Sequence, residues 1–442
     1  MRYPLPFLVC LLLVLGLATA APAQTWQMPN PDLGVPKPQG PRIPTPGQFV
    51  DERDARIRAR NAASIEADLQ RYADRQAHSD SLIKEASQDY ARIERERREQ
   101  AEFNARFEAS NKPLYEAAYQ ALAEMLDGKR TVSLPLAVFI VENTYTNNQL
   151  NYLAFKAKLD ELADICRGLA GPNAGPAARF MALHQLITDT VRVRYAGKVA
   201  AVHLPYRYDF NDFRGEQDYR KMFVTKLLRA NSGQCHSLPL LYKMLADRLG
   251  VNTNISMAPN HSYIQVQGPG GLLYSYETTN GRFVTDAYYM TTGFVKTAAL
   301  KSRAYLDTLT LRQNIACQVQ DLALGYAHYY GHDAFTEKCA VLALKYYPQS
   351  VQARILAHTV ALTRFARAYQ AAGSPPREQA LQLPALKPLW ADVQRRQQAL
   401  DALGYEEIPK EQYARWLQSA EEEKHRQESR QATARFLQTA QK

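Results

Sequence analysis

Apolar positions recur at three- and four-residue steps along most of this chain and change to a period of two only between Val251 and Asp286. The first spacing lines one face of a helix, the second one face of a strand. Helices are therefore predicted from Leu114 to Leu126 behind Pro113, over the run Leu134 to Val141, from Asn148 to Leu169 and from Ala177 to Val193. The breaker Gly171-Pro172-Asn173-Ala174-Gly175-Pro176 separates the last two. A helix from about Gln217 to Ala230 delivers the chain to Gly233, and Leu238 to Leu249 again has the helical pattern.

Within the alternating stretch, Asn254 to Met257, His261 to Gln267, Leu272 to Glu277 and Arg282 to Asp286 read as short strands. Gly268-Pro269-Gly270-Gly271 turns the middle two into a hairpin. A helix followed by an antiparallel sheet, set among further helices, predicts an α+β fold. Helices return from Leu306, and Asp321 to Pro348 has close to the spacing of a tetratricopeptide helix pair, with a faint second unit from Val351 to Gln370. So few repeats do not stand alone, so the pair is expected to lean on the core.

The flanks have other patterns. Residues 1–23 read as an export signal: Arg2, then an apolar run of eleven from Phe7 to Leu17, then Ala21-Pro22-Ala23 as the preferred cleavage site. That run is short for a membrane span, and no later segment reaches about 18 apolar residues. Residues 24–50 are rich in proline and read as a disordered tether. Residues 51–110 hold no Pro or Gly, and Ile65, Leu69, Tyr72, Ile83, Ala86, Tyr90 and Ile93 keep helical steps that lapse between Gln76 and Leu82. This is one long charged amphipathic helix or two, either a coiled-coil stalk or a solvated helix on its own domain. The remaining divisions are a helical subdomain (111–200), an α+β core (201–300), the repeat-like helices (301–372) and a helical tail (373–442).

Charge changes the picture little. Fifty-four basic against 44 acidic residues give +10, without aromatic-basic interleaving. Export argues against nucleic acid as a partner and for an acidic envelope surface. Four cysteines follow the leader: Cys166, Cys235, Cys317 and Cys339. Two buried free thiols are preferred over a Cys317–Cys339 bridge.

The sharpest chemistry is an ordered set. Cys235 stands where a polar loop becomes a helix, His261 opens a strand twenty-six positions on, and Glu277 closes another sixteen further. A thiol in a first helical turn meets unpaired N–H groups and the positive dipole end, which favour its anion. His261 would pair with that thiolate and protonate a leaving amine, and Glu277 would orient the ring. A hairpin loop of Gln267 to Gly271 places His261 directly opposite Glu277; a four-residue loop would turn Glu277 to the other face. Asp286 is the second-ranked acid. The Cys235 backbone N–H, Gln234 and Asn260 are candidate oxyanion donors. His236 is discounted as the base because adjacent residues rarely face each other. His328 and His332 lie four apart, but Gly331 stands where a zinc-protease helix would carry Glu, so they read as packing residues. Neither a metal nor an organic cofactor is expected.

Three blocks, Gly233-Gln234-Cys235-His236-Ser237-Leu238-Pro239, Pro259-Asn260-His261-Ser262-Tyr263 and Tyr276-Glu277-Thr278-Thr279, resemble the motifs of the bacterial transglutaminase-like (papain-like thiol) superfamily. The resemblance covers about residues 200–300. The assembly is similar to exported bacterial proteins that join such a core to helical repeats. It implies a papain/transglutaminase-like core with Cys235, His261 and Glu277 as its triad, although the family usually has Asp at the third place. The function implied is cleavage or transfer of acyl groups through a thioester, on a peptide, protein or peptidoglycan-type amide, in the periplasm or outside the cell. The alternative is a silent fold in an envelope scaffold that binds a protein partner through its helices.

Overall fold

Side-chain caps set many of the helix boundaries. In the computed structural model, Ser133, Asn151, Thr310, Asp333 and Ser350 each stand at a helix N-terminus and accept a backbone N–H of the first turn. The structure describes residues 111–195, 198–293, 295–380 and 382–406, with isolated positions 70, 422 and 429. All but position 70 belong to the unit Arg92–Lys442. The export signal, the tether, the long charged helices apart from position 70, and half of the C-terminal tail lie outside the described residues.

From residue 111 the described residues form four helices in succession: α1 (Lys112–Asp127), α2 (Leu134–Tyr145), α3 (Tyr152–Ala170) and α4 (Pro176–Thr188). The third begins later than the periodicity suggests, because Asn147 and Asn148 take left-handed backbone (φ 58 and 60) before Asn151 caps it. The fourth ends early. Val191 and Val193 alternate with arginines and form β1 (Val191–Tyr195), which pairs with β2 (Lys198–His203). β-Branched alternation with a strand partner at hand outweighs the helical reading.

β3 (Arg207–Tyr208) lies parallel to β4 (Ser232–Gly233). Between them, the single predicted helix from Gln217 is broken. The Asp212 carboxylate accepts N–H groups of Glu216, Gln217 and Asp218, and extended Phe223 separates a 3-10 turn (Tyr219–Met222) from α5 (Val224–Ala230). The site helix α6 (Ser237–Leu249) is apolar nearly all round, with Lys243, Asp247 and Arg248 as its charged positions. A helix of that kind belongs inside a core. Each fully buried leucine, such as Leu241 or Leu245, contributes roughly 1.5–3 kcal/mol. Left-handed Gly250 (φ 64) ends it, with the Val251 N–H returning to the Ala246 carbonyl.

The sheet is a four-stranded antiparallel meander, β5 (Thr253–Ala258), β6 (His261–Gln267), β7 (Leu273–Glu277) and β8 (Arg282–Val284). Asp286 is not in the last strand: it opens α7 (Asp286–Thr292). After α8 (Thr297–Lys301) come α9 (Leu311–Tyr330), α10 (Ala334–Tyr346), α11 (Val351–Ala371), α12 (Arg377–Ala380) and α13 (Lys387–Asp401). The pair α9–α10 does not form a separate solenoid. Leu322 and Cys339 share one apolar core with Leu122, Leu241 and Ile264 from the preceding segments. The fold is α+β. Among the described residues, no helix is long and apolar enough to cross a membrane.

Candidate active site

Cys235 stands at the junction of β4 and α6. The Leu238 N–H bonds the Gln234 carbonyl at 3.0 Å, so helical bonding already begins around the thiol. Gly233 is required just before it: a Cβ there would lie 2.6 Å from Ser237 Oγ and 2.8 Å from Leu227. Ser237 Oγ in turn accepts the Gln234 N–H at 3.0 Å. The motif's small residues therefore pack the turn that presents the sulfur.

His261 opens β6 after the two-residue turn Pro259-Asn260, and Asn260 takes a left-handed φ of 53. The hairpin register differs from the one the sequence suggests. Gln267 pairs with Leu273 and Ile264 with Tyr276, leaving a five-residue connection, Gly268 to Leu272. Continued, that register sets Glu277 opposite Tyr263, diagonal to His261 rather than directly across from it. The shift is two positions, so both side chains keep the same face. His261 Nε2 lies 2.6 Å from Glu277 Oε2.

The carboxylate is sealed and fully used. Glu277 is 2% exposed; Oε1 accepts the Thr279 N–H (3.0 Å) and hydroxyl (2.8 Å), and Oε2 also accepts the Tyr289 hydroxyl (3.1 Å). An ionised carboxylate can only accept, so His261 Nε2 carries the proton and Nδ1 is left for the sulfur. Charge on the ring lowers the Cys235 thiol, and charge on the thiol raises the ring. Cys235 is half-buried and the His261 side chain 24% exposed, whereas that of Glu277 is 3% exposed. Sulfur and ring can meet a solute while the acid stays dry.

Electrostatics single out this thiol. Burial pushes Cys235 up, but the His261 hydrogen bond and charge, with the His236 charge, outweigh it and hold the thiol below its ordinary value. For His261, burial opposes the charge, yet Glu277 and the thiolate raise it well above the usual imidazole range. Burial raises Glu277 and the His261 charge lowers it, with a net fall. The other cysteines go the opposite way. Burial pushes Cys166 up to about 12, and raises Cys317 and Cys339 further. All four are free, Cys339 buried and Cys317 half-buried.

Sequence reasoning missed three partners. Tyr208 on β3 pairs in register with Gly233, and its phenol lies close enough to Cys235 to feel the sulfur's charge. Burial and then the sulfur's charge keep that phenol protonated. His236 Nε2 lies 3.3 Å from Asp321 Oδ2 on α9; burial lowers the ring, but the carboxylate wins and raises it. Behind them Glu142 on α2 is buried and accepts the N–H groups of Val224 (2.6 Å) and Thr225 (2.9 Å), capping α5. A two-residue strand and contacts across 27 to 85 positions leave no periodic signal.

The remaining sequence candidates are placed as follows. Gln234 is fully buried with neither end of its amide hydrogen-bonded, and Asn260 turns its backbone carbonyl toward Cys235 Sγ at 3.9 Å. Asp286 accepts the Ser275 hydroxyl at 3.0 Å. His328 stacks on Tyr219 at 6.4 Å. Among the described residues, no group of three or more His, Cys, Asp or Glu side chains is arranged to hold a metal ion. In comparison with known proteins, no family model, no curated protein and no solved structure matches the chain.

Proposed function

We propose that this protein is a thiol-dependent acyl-transfer enzyme with a transglutaminase-like, papain-like core, acting on a carboxamide or peptide bond. The observation that carries the reading is one imidazole shared between a lowered thiol and a buried carboxylate 2.6 Å away. The Cys235 thiolate attacks the carbonyl carbon and the carbonyl π pair moves onto oxygen. That pair returns as the C–N bond breaks, and His261 gives its proton to the departing amine or ammonia. A thioester remains on Cys235. Water attacks it while the now neutral His261 takes a proton, and the carboxylic acid and the thiol are released. A second amine in place of water gives transfer. The Tyr208 phenol, on the strand paired with Gly233, is the side-chain donor that supports the oxyanion.

The leader-like residues 1–23 support export, with a periplasmic or extracellular peptide, protein or peptidoglycan-type amide as substrate. The test needs no known substrate: iodoacetamide alkylation followed by mass spectrometry across pH. Cys235 is expected to react well below pH 8, with Cys166, Cys317 and Cys339 silent. A Cys235 as inert as the other three would leave only a scaffold. On a suitable amide, Cys235→Ala is expected to abolish turnover with the fold intact.

A further inference from the structure

Pro239 lies in the first turns of the helix that Cys235 opens. In an unbroken α-helix the N–H of position 239 would bond the carbonyl of position 235. Proline has no N–H to give. The bond just before it is made, from Leu238 to Gln234 at 3.0 Å. The Cys235 carbonyl is thus released from the helix, and the Ser262 hydroxyl donates to it at 2.6 Å. Ser262 is 7% exposed and follows His261 in β6. The strand and the turn before it therefore meet Cys235 at two points, the Asn260 carbonyl 3.9 Å from the sulfur and the Ser262 hydroxyl at the carbonyl.

We propose that Ser262 is a positioning residue: its hydroxyl takes the place that Pro239 vacates and fixes where the Cys235 sulfur stands against His261. This rests on the thiol–imidazole reading above. The turn around Cys235 has few ties of its own, since its carbonyl lacks a helical partner. Without the hydroxyl the peptide is free to rotate, and rotation about the Cα moves the sulfur off the ring. A misplacement of about 1 Å can cost about 10²-fold in rate.

The test is a double-mutant cycle in the full chain, read by the alkylation rate of Cys235 with iodoacetamide across pH. Ser262→Ala is expected to slow the reaction about tenfold or more near neutrality and to move its half-maximal pH upward. Pro239→Ala supplies an N–H to the same carbonyl, so Ser262→Ala is expected to have no effect in that background. A Ser262→Ala chain that is folded and as reactive as wild type overturns the proposal. A loss that Pro239→Ala does not restore overturns it too, because the hydroxyl then acts elsewhere. If Ser262→Ala alone does not fold, the double variant is read against Pro239→Ala: equal rates support the proposal and a slower double variant overturns it. A wild-type Cys235 that is inert below pH 8 removes the thiolate reading itself, and that result is separate from every comparison within the cycle.

Discussion

At the scale of the residue, the length of the orienting acid follows from the hairpin register. Glu277 is diagonal to His261, and diagonal neighbours on a sheet stand roughly 7–8 Å apart where direct ones stand about 5 Å. The extra methylene relative to aspartate lets the carboxylate reach Nε2 at 2.6 Å. Glu277→Gln keeps the shape but removes the charge that raises His261. Its imidazole is expected to titrate at lower pH by NMR, and turnover to fall roughly 10²–10⁴-fold, the range for a positioned acid–base group. An unchanged titration would show that Glu277 only packs. The stability sign also follows. A folded-state value below the ordinary 4.5 means Glu277 stabilises the fold above that pH, and the contribution is lost as pH falls through the lowered value.

At the scale of the element, the reactive turn is fixed by three pieces of secondary structure besides its own helix. β3 brings Tyr208, β6 brings His261 and Ser262, and α9 brings Asp321 to His236. The last contact gives the C-terminal helices a hold on the chemistry. Asp321 raises His236 and so favours its charged form, which is one of the groups lowering the neighbouring thiol. Asp321→Asn is therefore expected to move the Cys235 alkylation profile to higher pH, since one cation near the thiolate is weakened. Glu142 also faces His236, from α2, and remains in that variant. A profile that stays where it was would reduce α9 to a packing partner.

At the scale of the whole molecule, the α+β core shares one apolar interior with α1–α4 and α9–α11, and polar ties cross it. Glu142 illustrates the cost. It reaches from α2 to cap α5, the helix that delivers the chain to Cys235, and burial raises it from 4.5 to about 7. A raised carboxyl favours protonation in the folded state. Its effect on stability is nil below 4.5, grows unfavourable as pH rises, and levels off above 7 at about 3 kcal/mol. Glu142→Gln is expected to flatten that part of the stability–pH curve, measured by denaturant unfolding between pH 4 and 8. A slope equal to wild type would assign it to another group.

Much of this was legible in the chain because it is local. The α+β class, the strand His261–Gln267 and the order of Cys235, His261 and Glu277 all follow from short-range period and turn chemistry. The shift of face that a one-residue slip would cause was also foreseen. What the chain left open is what depends on partners far along it. The β1–β2 hairpin replaced a helix end because a strand partner was available, and Gln217 to Ala230 broke because Asp212 and Glu142 took its N–H groups. Local spacing determines which side chains share a face. Only tertiary contact decided the diagonal register and brought Tyr208 beside Gly233, the Ser262 hydroxyl to the Cys235 carbonyl and the Asp321 carboxylate to His236. A hydrogen bond depends on distance in space, and a sequence records only distance along the backbone.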